Sequence, residues 1–140
     1  MKKAIIHVDW DKNYSAAPAN YSVACIVTGK TLDEVKQRMM FSLSKHLSDM
    51  SEDKEEIPDE FSGEFELEYQ LSVRAMLHHT EGIVPRKALS HVTGINLQQL
   101  SHYASGWRTP RPKMQRRIMD GMSEIGKQLL VVSTGTNFPN

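Results

Sequence analysis

From Ala4 to Trp10 the chain alternates. Ala4, Ile6, Val8 and Trp10 fall on one side and Ile5, His7 and Asp9 on the other, the period of a β-strand. Asp11-Lys12-Asn13 is turn chemistry, and Tyr14-Ser15-Ala16-Ala17 reads as a return strand ended by Pro18. Residues 21–27 form a nearly continuous apolar run, which predicts a third strand, central in the sheet and closed by Gly29-Lys30. The period then changes. Leu32, Val35, Met39, Leu43, Leu47 and Met50 recur at spacings of 3, 4, 4, 4 and 3, one stripe of a helix that lies on the sheet. Thr31 is placed to cap it, with Glu34 completing a capping box.

Residues 51–64 are a polar, acidic connection. Phe65, Leu67 and Tyr69 then alternate with Glu66, Glu68 and Gln70, a half-buried strand leading into a second domain. Around Gly94 the pattern is two short helices and a tight turn. Ala88, Leu89 and Val92 are the apolar positions of the first helix, and Leu100, Tyr103 and Ala104 those of the second. Gly94 accepts the left-handed conformation of a C-terminal cap, and Asn96 is an N-cap with Gln99 three residues on. Met114, Ile118, Met122, Ile125 and Leu129 give a last helix its stripe. Leu130-Val131-Val132 extends it with apolar character suited to pairing across a dimer, and residues 133–140 read as a frayed tail.

The string Leu89-Ser90-His91-Val92-Thr93-Gly94-Ile95-Asn96, followed by Tyr103-Ala104-Ser105-Gly106-Trp107-Arg108-Thr109-Pro110, resembles the helix-turn-helix of the phage Cro/repressor-like family. The resemblance spans residues 72–130. Ser90 stands where that family usually has alanine, and is nearly as small. The resemblance implies double-stranded operator DNA as a partner. Gln98, Gln99 and His102 on the second helix are then the candidates for reading bases, and Asn96, Ser101, Arg108, Arg111 and Lys113 those for binding phosphates. Arg116 and Arg117 continue the basic run. Trp107 either packs under the following loop or stacks at the edge of the DNA.

Charge sharpens this division. Net charge is zero overall, but residues 1–50 carry +2, residues 51–70 carry −8 and residues 71–140 carry +6. A basic C-terminal half is the electrostatic footprint of a DNA-binding domain. The acidic middle reads as a solvated linker, with masking of a basic surface on the chain's own partner as the alternative. With 39% hydrophobic and 24% charged residues, the composition is that of a globular chain. No apolar run approaches the ~20 residues of a membrane span, and the first residues are too quickly charged for a signal peptide. The single cysteine, Cys25, lies in an apolar run and reads as a buried, inert thiol, and the expected location is cytoplasmic.

Tyr14-Ser15-Ala16-Ala17, residues 22–29 and Gly29-Lys30-Thr31-Leu32-Asp33-Glu34-Val35, in the order β-β-β-α-connection-β before a helical unit, resemble the HicB antitoxin family. Pro18-Ala19-Asn20-Tyr21 departs from the Pro-Asp-Leu-Pro-Gly-Cys-like segment usual there. The resemblance implies an α+β protein. A small, partial ribonuclease-H-like domain (residues 1–70) precedes an all-α helix-turn-helix domain (residues 71–132) and a tail (133–140). It also implies an antitoxin that binds a small, basic, RNA-cleaving toxin protein and represses its own operon as a homodimer or higher oligomer. The alternative is a stand-alone repressor whose N-terminal domain dimerises or senses a small ligand.

An enzyme is not expected. Asp9 and Asp11 sit where nucleases of that fold carry an acid. A two-metal site, however, needs several converging carboxylates around ions ~4 Å apart. The helix offers only Asp33, Glu34 and Asp49, of which the first two suit its cap and dipole. His78 and His79 are adjacent on a helix and point about 100° apart, so they form no metal pair. No phosphate-binding glycine loop, nucleophile elbow or Cys/His metal spacing is present, so no cofactor and no metal are expected.

Overall fold

The computed structural model describes residues 1–135. It is an α+β protein of two compact units, the first spanning Met1–His79 and the second beginning at Thr80. The boundary therefore lies nine residues beyond the expected one at residue 70.

In the first unit β1 (Lys2–Asp11) is the strand on which the sheet is built. It pairs antiparallel with β2 (Asn13–Pro18) on one side and parallel with β4 (Phe65–Leu71) on the other. The order is β3-β2-β1-β4. Ala4, Ile6 and Val8 of β1 and Tyr14 and Ala16 of β2 are buried, as alternation requires. Helix α1 (Leu32–Glu52) covers this face with Leu32, Val35, Met39 and Leu43. Thr31 caps it by accepting from the Glu34 amide at 3.1 Å. The Glu34 carboxylate reaches one residue further back than a capping box does, to the Lys30 amide at 3.0 Å.

The third strand corrects the expectation. β3 (Val27–Gly29) has three residues and lies at the sheet edge, not the centre. The cause is local: Asn20 Oδ1 accepts from both the amide and the hydroxyl of Ser22, which turns the chain. Tyr21, inside that turn, is 97% exposed; the segment that follows keeps strand-like alternation without ladder pairing, so Val23 and Cys25 are buried while Ile26 is 75% exposed. Burial raises the pKa of the Cys25 thiol, as expected of an inert cysteine.

The acidic connection is also more than a solvated linker. A 3-10 turn (Asp59–Phe61) buries Phe61 edge-on to Phe65 with ring centres 5.4 Å apart, and Ile57 packs at the core margin. The Lys2 ammonium donates to the carbonyls of Asp59 and Ser62. Asn20 donates to Glu60 at 2.7 Å and holds that carboxyl below its ordinary pKa.

Helix α2 (Val73–His79) packs on β1 and β4, which is why the first unit runs to His79. The Ser72 hydroxyl accepts from the Ala75 amide and donates to Asp9 at 2.7 Å. Arg74 pairs with Asp11 at 3.2 Å, and His78 stacks on Trp10 with ring centres 3.5 Å apart.

The second unit holds α3 (Arg86–Thr93), α4 (Leu97–Ser105) and α5 (Pro112–Thr134). The buried positions of α3 are Leu89 and Thr93. Ala88 is exposed and Val92 is 37% exposed, against expectation. The reason is where α5 crosses. A Cβ at Gly121 would lie 2.4 Å from Thr93 Cγ2 and 3.5 Å from Leu89 Cδ1, so the two helices touch at those residues. Thr93 tolerates burial because its hydroxyl donates to the Leu89 carbonyl and accepts from the Ile95 amide. Leu100, Tyr103 and Ala104 of α4 are buried as the pattern predicted. Ile118 anchors α5, Met114, Met122 and Ile125 are half-buried, and Leu129 is 57% exposed. Of the expected tail, Ser133 and Thr134 belong to α5, and residues 136–140 lie outside the described residues.

Gly121→Ala should therefore destabilise the protein by about 1–3 kcal/mol, the usual cost of overpacking. Thr93→Ser, which keeps the hydroxyl and removes the clashing methyl, should recover most of that loss in the double variant. Urea unfolding of the four proteins measures the coupling, and strictly additive losses would contradict the close crossing.

Candidate nucleic-acid interface

The turn between α3 and α4 is fixed by side chains from three places. Gly94 takes φ 74° at the end of α3 and its amide bonds the Ser90 carbonyl, a conformation that costs a residue with a Cβ more than glycine. The Ser90 hydroxyl donates to the Ile95 carbonyl at 2.6 Å, bridging the turn. Serine at this position is thus a tie across the turn as well as a small residue. Arg117, reaching from α5, donates to the Thr93 carbonyl at 2.9 Å. Asn96 then starts α4, accepting the Gln99 amide on its Oδ1 at 2.7 Å.

The expected base-reading residues separate on inspection. Gln98 is exposed on α4. His102 is half-buried and meets the Trp107 ring edge-on, centres 4.4 Å apart. Gln99 is half-buried and its Nε2 donates to the Tyr103 hydroxyl at 2.9 Å, so its amide nitrogen is engaged inside the unit. Gln98, Ser101 and His102 follow the i, i+3, i+4 spacing of one helix face, opposite the buried Leu100, Tyr103 and Ala104. Ser101 is half-buried on that face.

After α4, Gly106 takes φ 81° and the chain folds back. The Arg108 amide bonds the His102 carbonyl, and the Trp107 amide bonds the Ser105 hydroxyl. Trp107 is 72% exposed, so of its two expected placements it does not pack under the loop. Arg108, Arg111, Lys113 and Arg116 are exposed around the start of α5, where Arg111 is the N-cap and Pro112 the first helical residue. Arg117 differs from its neighbours in the run because its guanidinium is committed to the end of α3. Sequence reasoning missed that role, and it missed Leu97, 47% exposed beside Gln98. No local signal marks either one, since both follow from how the helices are placed. From Thr80 onward the chain has eight basic and three acidic residues, and Arg108, Arg111, Lys113 and Arg116 are exposed in the stretch that follows α4.

The first unit offers a different surface. The sheet face opposite α1 carries His7, Asp9, Ser15, Ala17 and Gln70, and with Tyr21 and Ile26 it bounds a cavity of about 580 Å³. Asp9 and Asp11 do not converge on an open site: Asp9 accepts from Ser72 and the Trp10 amide, and Asp11 pairs with Arg74. Among the described residues no group of three His, Cys, Asp or Glu side chains comes together to hold a metal ion. No described helix is long and apolar enough to cross a membrane. No protein-family model, curated protein or solved structure matches the chain.

Two basic residues should behave oppositely. Arg117→Met, which breaks the bond to the Thr93 carbonyl, should cost about 1.5–3 kcal/mol, the range for charge-assisted hydrogen bonds. Arg108→Met should change stability by less than about 0.5 kcal/mol, as surface substitutions do. Thermal and urea unfolding separate the two, and equal losses would contradict the assigned roles.

Proposed function

We propose that this chain is a sequence-specific DNA-binding repressor whose first unit binds a protein partner, an antitoxin of the HicB kind. The observation that carries the DNA half is the α3–turn–α4 arrangement. Two short helices are joined at a left-handed glycine, the second is capped by Asn96, and it presents Gln98, Ser101 and His102 beside an exposed basic run. On this reading α3–α4 is a helix-turn-helix with α4 in the major groove. Gln98 and His102 read base edges. Gln99 holds Tyr103 and so keeps the helix in place. Arg108, Arg111 and Lys113, with Ser101 and the start of α4 at Asn96, contact phosphates.

The antitoxin half rests on the sheet. A mixed four-stranded sheet covered by one long helix and bordered by an acidic segment fits a partial ribonuclease-H-like domain, and it suits a basic toxin that must itself hold RNA phosphates. The carboxylates of β1 are bonded separately to Ser72 and Arg74 and gather no further metal-ligating side chains among the described residues, which supports a binding role for this unit over catalysis.

Gln98→Ala and His102→Ala should each reduce discrimination between the preferred site and its single-base variants by about 1–3 kcal/mol. Arg111→Gln and Lys113→Gln should weaken binding to all sequences and lower the slope of log affinity against log salt by about 0.9 per lost contact. Fluorescence anisotropy over a salt series checks both, and a phosphate-type variant that keeps the full slope would contradict the assignment. Co-expression of the whole protein with the product of the adjacent reading frame tests the antitoxin half. Rescue of growth and co-purification are expected, and a folded protein that does neither would leave a stand-alone repressor.

A further inference from the structure

The strand order β3-β2-β1-β4 gives the first unit two sheet edges, and they differ. At one edge β3 has three residues, which is the short form that blunts an edge against further pairing. At the other, β4 runs for seven residues, about 23 Å of extended chain. It contains no proline, and its register with β1 is unbroken from Lys2 opposite Phe65 to Val8 opposite Leu71, with no bulge. Among the described residues no strand pairs with its outer side.

The register also fixes which backbone groups face outward. The Ser72 amide donates to the Val8 carbonyl. Backbone groups alternate along a parallel ladder, so Glu66, Glu68 and Gln70 turn theirs toward β1, while Phe65, Leu67, Tyr69 and Leu71 turn theirs away from it. The side chains divide by face. Leu67 and Tyr69 lie half-buried at the core margin on the α1 side, and Glu66 and Glu68 are exposed on the other. Helix α1 packs chiefly on β2 and β3, with Arg38 on that flank donating to the Thr28 carbonyl. On its opposite flank the Lys36 ammonium lies 5.1 Å from the centre of the Tyr69 ring, and Met40, one turn further on, is 60% exposed.

We propose that the outer edge of β4 is a docking site for an extended segment of a basic protein partner, which adds a fifth strand to the sheet. Main-chain hydrogen bonds to Leu67 and Tyr69 hold such a strand, and its alternate side chains supply the selectivity. Those on the α1 side are apolar and lie against Leu67, Tyr69 and Met40. Those on the other side are cationic and lie beside Glu66 and Glu68. Charge decides the occupant. A second copy of β4 would set Glu66 and Glu68 against the same residues of its partner, whereas a basic strand meets them with opposite charge. The inference rests on the reading of the first unit as a binder of a basic protein, and adds where and how that protein is held.

The test is residue-resolved amide hydrogen exchange on the full-length protein, alone and co-expressed with the product of the adjacent reading frame. Alone, the Leu67 and Tyr69 amides should exchange faster than those of Glu68 and Gln70. In the complex they should slow by about tenfold or more, as newly bonded amides do. Glu68→Lys should weaken the complex by about tenfold. Asp49→Lys makes the same charge change three helical turns from Arg38 on the β3 flank of α1, and should leave the affinity unchanged. A complex in which the Leu67 and Tyr69 amides exchange as fast as before overturns the proposal and leaves the partner reading intact. So does equal weakening by the two variants. Slow exchange at Leu67 and Tyr69 in the protein alone also overturns it, because the edge is then paired with a second copy. Failure to form any complex overturns both this inference and the partner reading.

Discussion

The second unit depends on one close approach, the crossing of α5 over α3 at Gly121. Protein interiors are packed to crystal-like density, so a helix pair this close tolerates no side chain at the crossing point. Glycine there brings Arg117 within reach of the Thr93 carbonyl and lets Thr93 bury its methyl while its hydroxyl serves the backbone of the turn. The direction in which α4 leaves that turn is set by the same few atoms. The α4 surface is thus positioned by contacts on its far side, which frees Gln98 from structural duty. Gln99, bonded to Tyr103, marks where that freedom stops.

The first unit answers to a comparable constraint on β1. This strand has partners on both edges, antiparallel β2 and parallel β4, so the end of the chain's first half must return to its beginning. The parallel return needs a long crossover, which the β3–α1 segment and the 3-10 turn supply. The acidic segment is pinned at its end by Lys2, Phe61 and Asn20, so its charge sits on a held surface instead of a loose linker. The two units share a way of using carboxylates and cations. Asp9, Asp11, Glu60 and Arg117 each hold backbone or a neighbouring side chain.

What could be read in the sequence was what local chemistry decides. The stripe and Thr31 cap of α1, the left-handed glycine at 94, the Asn96 cap and the buried positions of α4 all depend on residues within a turn or two, and all are present. The errors share a cause as well. Residues 21–27 looked like a central strand because Val23, Cys25 and Val27 are apolar, but strand rank depends on distant partners, and the Asn20 turn takes most of the segment out of the ladder. Helix α2 was assigned to the wrong unit because its apolar residues pack on β1, some seventy positions away in sequence. In α3 the pattern favoured Val92 over Thr93, since no sequence rule anticipates a threonine whose hydroxyl is fully used. Gln99 and Arg117 looked like surface contacts for the same reason.

The two units divide the chain's charge, and that division is the physical basis of the functional account: an acidic unit suited to a basic protein and a basic unit suited to DNA. The recognition proposed for the α4 face makes a demand that basic charge alone does not, namely preference for one sequence over another at equal salt. The most direct measurement is the affinity of the full-length protein for the duplex upstream of its own reading frame, set against a shuffled duplex of the same length and composition at the same ionic strength. The account predicts preference by a factor of about 10³ or more, the range of specific recognition. Equal affinity for the two duplexes would contradict it.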